Sequence, residues 1–152
     1  MENRIKITLD YPPVWLAAFL VFAYLTRGVV GPLAQTEAVL ALSFGLIGIG
    51  IGVMCIAAFT MWRHKTTFIP HRYPQRLVTQ GIFRYSRNPI YLGDAFTLVG
   101  FSLLYGSIIG LLSVPVFMVV IERRFIRKEE KNLKGLFAQD YDLWAKKTRR
   151  WM

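Results

Sequence analysis

Four long apolar stretches, separated by polar segments, set the pattern of this chain. Residues 12–30 and 38–62 carry almost no charge, and each could cross a bilayer core of about 30 Å as a helix rising about 1.5 Å per residue. Residues 89–105 and 107–121 are shorter and are separated by Gly106, which predicts a helical hairpin. We therefore expect an all-α, polytopic membrane protein with about four transmembrane helices, the last two of which form the hairpin.

The segment after the fourth stretch, residues 122–152, is amphipathic rather than uniformly apolar. From Glu122 to Trp144, apolar residues recur on one side of a helix and most of the cations lie on the other side. The apolar stripe consists of Phe125, Ile126, Leu133, Leu136, Phe137 and Trp144. This pattern is typical of a helix at a membrane surface, so we predict a helical tail there.

Composition and charge fit a membrane protein. Hydrophobic residues make up 54% of the chain, and the formal net charge is +10. The cations occur in blocks between the apolar stretches, whereas a soluble nucleic-acid binder mixes them with a modest core. We therefore expect membrane lipids with anionic headgroups at the basic face and no nucleic-acid partner. The single Cys and two His show no usual metal-binding spacing, so no metal is predicted.

The distribution of cations predicts the orientation in the membrane. Of the 19 Lys and Arg residues, Arg4 and Lys6 lie in the N-terminal arm, six lie between Arg63 and Arg87, and ten follow Ile121; Arg27 alone lies elsewhere. The connections at residues 31–37 and around Gly106 carry none. By the positive-inside rule, both termini and the loop 63–88 are cytoplasmic. Residues 1–152 are thus expected to form one integral, multi-pass membrane domain whose polar segments meet on one side.

The loop 63–88 holds several candidate functional groups. Asn88 and Pro89 are suited to the N-cap and the first position of the third helix. Such a helix start can also bind a carboxylate or a phosphate. Arg84 and Arg87 either anchor the loop to anionic headgroups or contact a ligand.

Acidic residues in apolar surroundings are the second set of candidates. Glu129 interrupts the apolar stripe of the tail, and Glu130 lies at its margin. Burial of an unpaired carboxylate costs several kcal/mol, so Glu129 either pairs with a loop Arg or faces a polar ligand pocket. Glu122 is expected to be solvated or paired with Arg. Asp94 lies inside the third apolar stretch, where an ionisable group is a functional hypothesis.

Small residues in the second stretch predict close helix packing. They are Gly45, Gly48, Gly50 and Gly52.

These motifs resemble the integral-membrane methyltransferases that include isoprenylcysteine carboxyl methyltransferases and phospholipid methyltransferases. The resemblance covers residues 66–151, a little over half of the chain. It is carried by Leu77-Val78-Thr79-x-Gly81, by Arg84-x-x-Arg87-Asn88-Pro89-x-Tyr91-Leu92-Gly93, and by Glu129-Glu130-x-x-Leu133 followed by Tyr141 and Arg149-Arg150-Trp151. Many relatives have His where this chain has Asn88, so a catalytic role at that position is not carried over.

The resemblance implies that S-adenosyl-L-methionine is the methyl donor at the cytoplasmic face. It also implies an acceptor that enters from the bilayer: an isoprenylcysteine carboxylate, a lipid amine or a small thiol. The predicted cofactor-binding residues are Leu77, Val78, Tyr85, Arg87, Asn88, Tyr91, Leu92, Gly93, Glu129 and Glu130. The candidate catalytic residues are Glu129, Arg84 and Arg124.

The available side chains also suit methyl transfer on chemical grounds. A sulfonium donor carries its own activation, so the reaction mainly needs alignment and a site that excludes water. An ammonium or thiol acceptor must also lose a proton, for which Glu129, Asp94 and His64 are the candidates.

Two other functions stay open. One is an NADPH-dependent membrane reductase of the steroid-reductase type, which the loop resembles faintly in its Pro, aromatic and Gly cluster. The other is a non-enzymatic membrane scaffold whose basic loop holds anionic lipid.

Overall fold

The computed structural model describes residues 10–31, 33–66 and 76–152, and every regular element in these ranges is helical. The helices are α1 (Pro12–Leu25), α2 (Glu37–Arg63), α3 (Pro89–Leu104), α4 (Ile108–Ile121) and α5 (Arg127–Lys147). A 3₁₀ turn, Gly81–Arg84, precedes α3, and a π-turn, Glu122–Ile126, joins α4 to α5. The all-α class is confirmed. The predictions for the N-terminal arm with Arg4 and Lys6, and for residues 67–75, lie outside the described residues.

Local sequence explains where the helices begin. Pro12 and Pro89 occupy the first turns of α1 and α3, where a missing amide hydrogen costs nothing. The Thr36 hydroxyl caps α2 by accepting from the Val39 amide at 3.3 Å. The Ser107 hydroxyl caps α4 in the same way. The second, third and fourth predicted stretches therefore match α2, α3 and α4 to within one residue at each end.

The first predicted span, residues 12–30, runs past the end of its helix. α1 ends at Leu25, and the chain turns over residues 26–30. The Thr26 hydroxyl donates to the Phe22 carbonyl at 2.8 Å, and Gly28 adopts a φ of +77°, which glycine tolerates best. Hydropathy missed this end because Val29 and Val30 resume the apolar pattern after Thr26 and Arg27.

α3 lies at the centre of the helix bundle, in contact with α1, α2 and α4. One end of the bundle holds the two short connections, where Thr26 and Ser107 share a hydrogen bond of 3.0 Å. The other end holds the loop before α3 and the start of α5. The main core cluster consists of Tyr91, Ala95, Leu98, Val114, Phe117, Ile121, Phe125 and Ile126. The functional candidates thus meet at one end of a packed helical frame.

Backbone contact between α2 and α3 depends on glycine. A Cβ on Gly93 would lie 2.6 Å from the Gly50 carbonyl oxygen, and one on Gly100 would lie 2.8 Å from that of Ser43. The packing prediction is confirmed for Gly50 and is wrong for the other three glycines of the series, which have no such neighbour within 4 Å among the described residues. The buried residues of α2 recur every seven positions, at Ser43, Gly50 and Ala57, so the other glycines point elsewhere.

Much of the surface of α2 is apolar and exposed. This helix has 27 residues and is long and apolar enough to cross a membrane, whereas α1 and α3 are shorter apolar helices. Its exposed apolar side chains include Leu42, Phe44, Ile49, Ile51, Ile56 and Phe59. An apolar surface of this extent marks contact with a membrane or another protein.

The tail is not the single regular helix that its periodicity predicts. The π-turn adds a residue to one turn, and Ala138 interrupts α5 with φ 31° and ψ −102°. Leu136 of the predicted stripe is 49% exposed. The other stripe residues are buried or partly buried: Phe125, Ile126, Leu133, Phe137 and Trp144.

Candidate functional site

The loop before α3 is held by the last residues of the chain. We call residues 148–150 the C-terminal strap. The Arg87 amide donates to the Arg149 carbonyl at 3.0 Å, and the Thr148 hydroxyl donates to the Arg84 carbonyl at 3.3 Å. These contacts join the motif loop to the end of α5 and fix the backbone around Arg87.

Asn88 links the loop to the strap. It occupies the N-cap position of α3, and Pro89 follows at the first helical position, as predicted. The prediction that the Asn88 side chain caps the helix is wrong, because this amide donates instead to the Arg150 carbonyl at 3.1 Å. Its own backbone amide donates to the Ser86 hydroxyl. Asn88 thus ties two distant segments together.

A cluster of opposite charges lies beside the strap. Glu130 accepts from Arg87 at 3.1 Å and from Arg150 at 2.7 Å. Arg150 also reaches Glu122 at 2.9 Å, and Arg127 contacts the same carboxylate at 3.0 Å. Arg150 therefore bridges two acids that belong to the π-turn and to α5. The Arg pairing predicted for Glu122 is confirmed.

These contacts change the acidities of the clustered groups. Hydrogen bonding from Arg127 lowers the pKa of Glu122, and the nearby charge of Arg150 adds to this effect. Hydrogen bonding to Glu130 raises the pKa of the Arg150 guanidinium. Both groups are therefore held in their charged forms at neutral pH.

Glu129 has a different partner. The Tyr91 hydroxyl donates to Glu129 Oε1 at 2.7 Å, and the Tyr91 side chain lies within the main core cluster. The pair connects the first turn of α5 with the first turn of α3. The expectation that a carboxylate in the apolar stripe needs a partner is confirmed, and one partner is a phenol on α3.

Arg87 has an unsatisfied buried donor. Its Nε atom has no hydrogen-bond partner among the residues that the structure describes. The same side chain lines a cavity of about 60 Å³, together with Thr66, Arg76 and Leu133. Buried donors are normally paired, so a carboxylate or similar anion would be stabilised there.

An open groove of about 870 Å³ runs between the loop and α5. Arg84 and Lys147 line it with positive charge, and Leu143 and Trp144 give it an apolar wall. The Trp144 indole is fixed by donating to the Phe83 carbonyl at 3.0 Å. The groove can accept an amphiphilic molecule.

The remaining candidates are dispersed. Val78 is buried and Leu77 half-buried in a second core cluster, Leu92 is half-buried on α3, and Gly93 packs on α2. Tyr85 is 75% exposed. Arg124 pairs with Asp10 at 3.1 Å and lies over the Trp15 ring. The structure brings together Arg87, Asn88, Tyr91, Glu129 and Glu130, and the roles given to all the candidates stay predictions.

Sequence reasoning assigned no role to Arg150, which joins most of the charged cluster. A signal was present, because Glu122 and Glu130 are eight residues apart and so lie near one side of a helical segment. Two such acids can share one cation. Nothing in the sequence shows that this cation comes from the strap.

Asp94 is buried near the Tyr91 and Glu129 pair. It lies on α3, three residues after Tyr91, and is 6% exposed. Among the described residues, no side chain or amide forms a hydrogen bond or ion pair with it. The bundle thus holds an unpaired carboxylate close to the site.

The fold is a helical bundle with one helix long and apolar enough to cross a membrane, and the described residues form a polar centre at one end. A family model described as phospholipid methyltransferase matches residues 38–140, more than half of the chain, so the chain belongs to that family. This confirms the resemblance seen in the motifs. The matched range includes the motif loop and Glu129 but ends before the strap.

The chain is also similar to a protein of Haemophilus influenzae described as uncharacterized. The two are 32% identical over 63 residues, which are 41% of this chain and 100% of that protein. No solved structure matches the chain.

Proposed function

We propose that this protein transfers a methyl group from S-adenosyl-L-methionine to an amphiphilic acceptor that arrives from the membrane. The observation that carries the proposal is that adjacent residues of α5 bind the other two elements: Glu129 accepts from Tyr91, and Glu130 pairs with Arg87. These residues belong to the loop, α3 and α5, and they face a frame of apolar helices. Family membership supports methyl transfer as the reaction.

The polar groups of the site fit the donor. S-adenosyl-L-methionine has an ammonium group, a carboxylate and ribose hydroxyls. Glu129, oriented by Tyr91, can accept from the ammonium or the hydroxyls, and the buried Nε of Arg87 can bind the carboxylate. Both oxygens of Glu130 already contact Arg87 and Arg150, so we assign Glu130 the task of positioning Arg87.

The chain contributes orientation rather than activation. When bound, the donor supplies a methyl group already activated by the sulfonium charge. Tyr91 holds Glu129 in place, and the strap holds the loop that carries Arg87. The core residues Phe125 and Ile126 form an apolar, water-excluding boundary beside this end of α5. Fixed geometry in a dry site accounts for a large part of the rate in reactions of this kind.

We also propose that α1 to α4 are four membrane spans with the site at the cytoplasmic face. Length and composition support a span for α2, and the shorter helices pack beside it. The cations Arg84, Arg87 and those of α5 lie at the site end, in line with the positive-inside rule. The acceptor would then reach the site laterally from the bilayer.

Binding and activity measurements test the proposed function. The full chain in nanodiscs should bind S-adenosyl-L-methionine and S-adenosylhomocysteine saturably by calorimetry, and it should incorporate radiolabelled methyl into a membrane acceptor. NADPH should not bind. Saturable NADPH binding with reduction of an enone lipid, and no methyl incorporation, would instead support the reductase. Binding of anionic lipid alone would support the scaffold.

A further inference from the structure

Arg87 and Arg150 share the carboxylate of Glu130, and they share it unequally. Arg150 binds it as a fork: its Nε donates to Oε1 at 3.1 Å, and its Nη2 donates to Oε2 at 2.7 Å. Arg87 contacts the same carboxylate through Nη2, at 3.1 Å from Oε1. A fork of two parallel hydrogen bonds is the stronger geometry between a guanidinium group and a carboxylate. Glu130 therefore gives both of its oxygens to Arg150.

The unequal sharing leaves one donor of Arg87 unused. Its Nε is buried and has no hydrogen-bond partner in the part of the chain that the structure describes. The side chains of Arg87 and Glu130 are only 15% and 14% exposed, so water compensates little for the missing bond. A buried guanidinium donor without an acceptor attracts an anion, because pairing removes the cost of leaving it unsatisfied. The Nε of Arg87 is thus available to a ligand.

Glu130 itself could satisfy this donor if Arg150 did not hold it. A carboxylate has about four lone-pair sites, and Glu130 already lies within ion-pair distance of Arg87. Rotation of its carboxyl group would turn the present contact into a fork onto Nε and Nη2 of Arg87. Arg150 opposes this rotation, and its own position is fixed from the other side because its Nη1 donates to Glu122 at 2.9 Å.

We propose that Arg150 is a positioning residue: by holding both oxygens of Glu130, it keeps the Nε of Arg87 unpaired and ready for the carboxylate of the methyl donor. This inference rests on the proposed function, in which Arg87 binds that carboxylate. Arg150 acts through Glu130 rather than by contact with the donor. The strap, which lies beyond the matched range 38–140, then controls how strongly a ligand's carboxylate is recognised.

The test compares two ligands that differ only in the carboxylate. Calorimetry of the full chain in nanodiscs gives the affinity for S-adenosyl-L-methionine and for its decarboxylated analogue. The first variant is Arg150→Lys, which keeps the positive charge but cannot form the fork. The second combines Arg150→Lys with Glu130→Gln. The control is Asp142→Asn, which neutralises an acid paired with Lys134 on α5.

Arg150→Lys should bind the donor roughly ten- to hundredfold more weakly than wild type, because Glu130 then closes on Arg87. Its affinity for the analogue should equal that of wild type, and its melting temperature should change little. The double variant should regain most of the lost donor affinity, since an amide offers a single acceptor oxygen and cannot form the fork with Arg87. Asp142→Asn should behave as wild type.

A measurement without ligand follows Arg87 directly. The full chain, labelled with ¹⁵N-arginine in detergent micelles, gives an Nε–H signal for each arginine, and Arg87→Lys identifies the signal of Arg87. In Arg150→Lys this signal should move downfield and exchange more slowly with water, because the Nε then donates to Glu130. A role of Arg150 confined to stability would leave the signal where it is.

Three results would overturn the proposal: an unchanged Arg87 signal, an equal effect of Arg150→Lys on both ligands, or a double variant that binds the donor no better than Arg150→Lys. If wild type binds neither ligand and the Arg87 signal still moves, the positioning role stands and the donor site is wrong. If Arg150→Lys does not fold, Glu122→Gln, which releases the other arm of Arg150, must weaken donor binding more than analogue binding. Equal weakening would then overturn the proposal.

Discussion

Two adjacent carboxylates of α5 have different surroundings. Glu129 accepts from the phenol of Tyr91, whereas Glu130 is held between the guanidinium groups of Arg87 and Arg150. A carboxylate that already binds two cations contributes mainly to the structure. The neighbouring Glu129 is oriented by the Tyr91 hydroxyl, and so we expect the two acids to respond differently to neutralisation.

For Glu129→Gln we expect a ten- to hundredfold loss of affinity for S-adenosyl-L-methionine, because a charge-assisted contact contributes about 1.5–3 kcal/mol. The melting temperature should change little, since the amide oxygen still accepts from Tyr91. Calorimetry and thermal unfolding measure the two effects, with Asp142→Asn as the control. Unchanged affinity together with a clear fall in melting temperature would show that Glu129 is a structural residue.

The charged cluster predicts a dependence of stability on pH. The pKa of Glu122 is lowered in the folded protein, chiefly by Arg127, so its ionised form stabilises the fold above the ordinary carboxyl pKa. This contribution should disappear as the pH falls through the lowered pKa. Melting temperatures of wild type and Glu122→Gln should therefore differ by a few degrees at pH 7 and converge in acid. A difference that stays constant from neutral to acid pH would contradict the ion pairing.

At the level of elements, the strap connects the end of the chain to the loop and to the π-turn. Its side-chain link is Arg150, which is 32% exposed and contacts both Glu122 and Glu130. Arg150→Ala should destabilise the fold by about 1–2 kcal/mol, between the values for exposed and for buried ion pairs. The matched control is Arg149→Ala. The Arg149 side chain is exposed, and its backbone carbonyl still accepts from the Arg87 amide after the substitution.

Chemical denaturation and limited proteolysis of the C-terminus measure the difference in stability between Arg150→Ala and Arg149→Ala. Arg149→Ala should stay within about 0.5 kcal/mol of wild type. Equal stability of the two variants would show that the backbone hydrogen bonds alone hold the strap.

A second prediction at the level of elements concerns the contact between α2 and α3. Gly100→Ala should destabilise the fold by about 1–3 kcal/mol, because its Cβ would press on the backbone of α2. Gly48→Ala, on the open face of the same helix pair, should be neutral or stabilising by up to about 1 kcal/mol, since alanine favours helix. Unfolding free energies of the two variants provide the measurement. A loss of similar size in both would exclude the close approach as the cause.

At the scale of the whole molecule, the placement of both polar segments at one end predicts the membrane topology. In a Cys55→Ser background, single cysteines at Gln80 and Met152 should react with an impermeant thiol reagent from the cytoplasmic side. A cysteine at Gln35, in the connection between α1 and α2, should react from the opposite side. Labelling of intact cells and inverted vesicles distinguishes the two. Reaction of Gln80→Cys and Met152→Cys from opposite sides would contradict the four-span arrangement.

Local patterns were enough to predict much of this fold. The positions of α2, α3 and α4 follow from apolar length, the Ser107 cap and Pro89, and these signals lie within the segment that they describe. The need for a partner at Glu129 follows from the cost of burying a charge, whatever the fold. The motifs of the loop and of α5 were likewise sufficient for the family, because they are read residue by residue.

The partners themselves could not be predicted, because they come from distant parts of the chain. Asn88 bonds to Arg150, 62 residues away, although its local sequence predicts a helix cap. Gly50 lies on the side of α2 that packs against α3, whereas Gly48 lies on a side without a described neighbour within 4 Å. The π-turn and the break at Ala138 interrupt the regular helix that the periodicity of the tail predicts. Burial of Asp94 without a partner is a property of three-dimensional packing, since periodicity gives the face of a residue but not what packs against it.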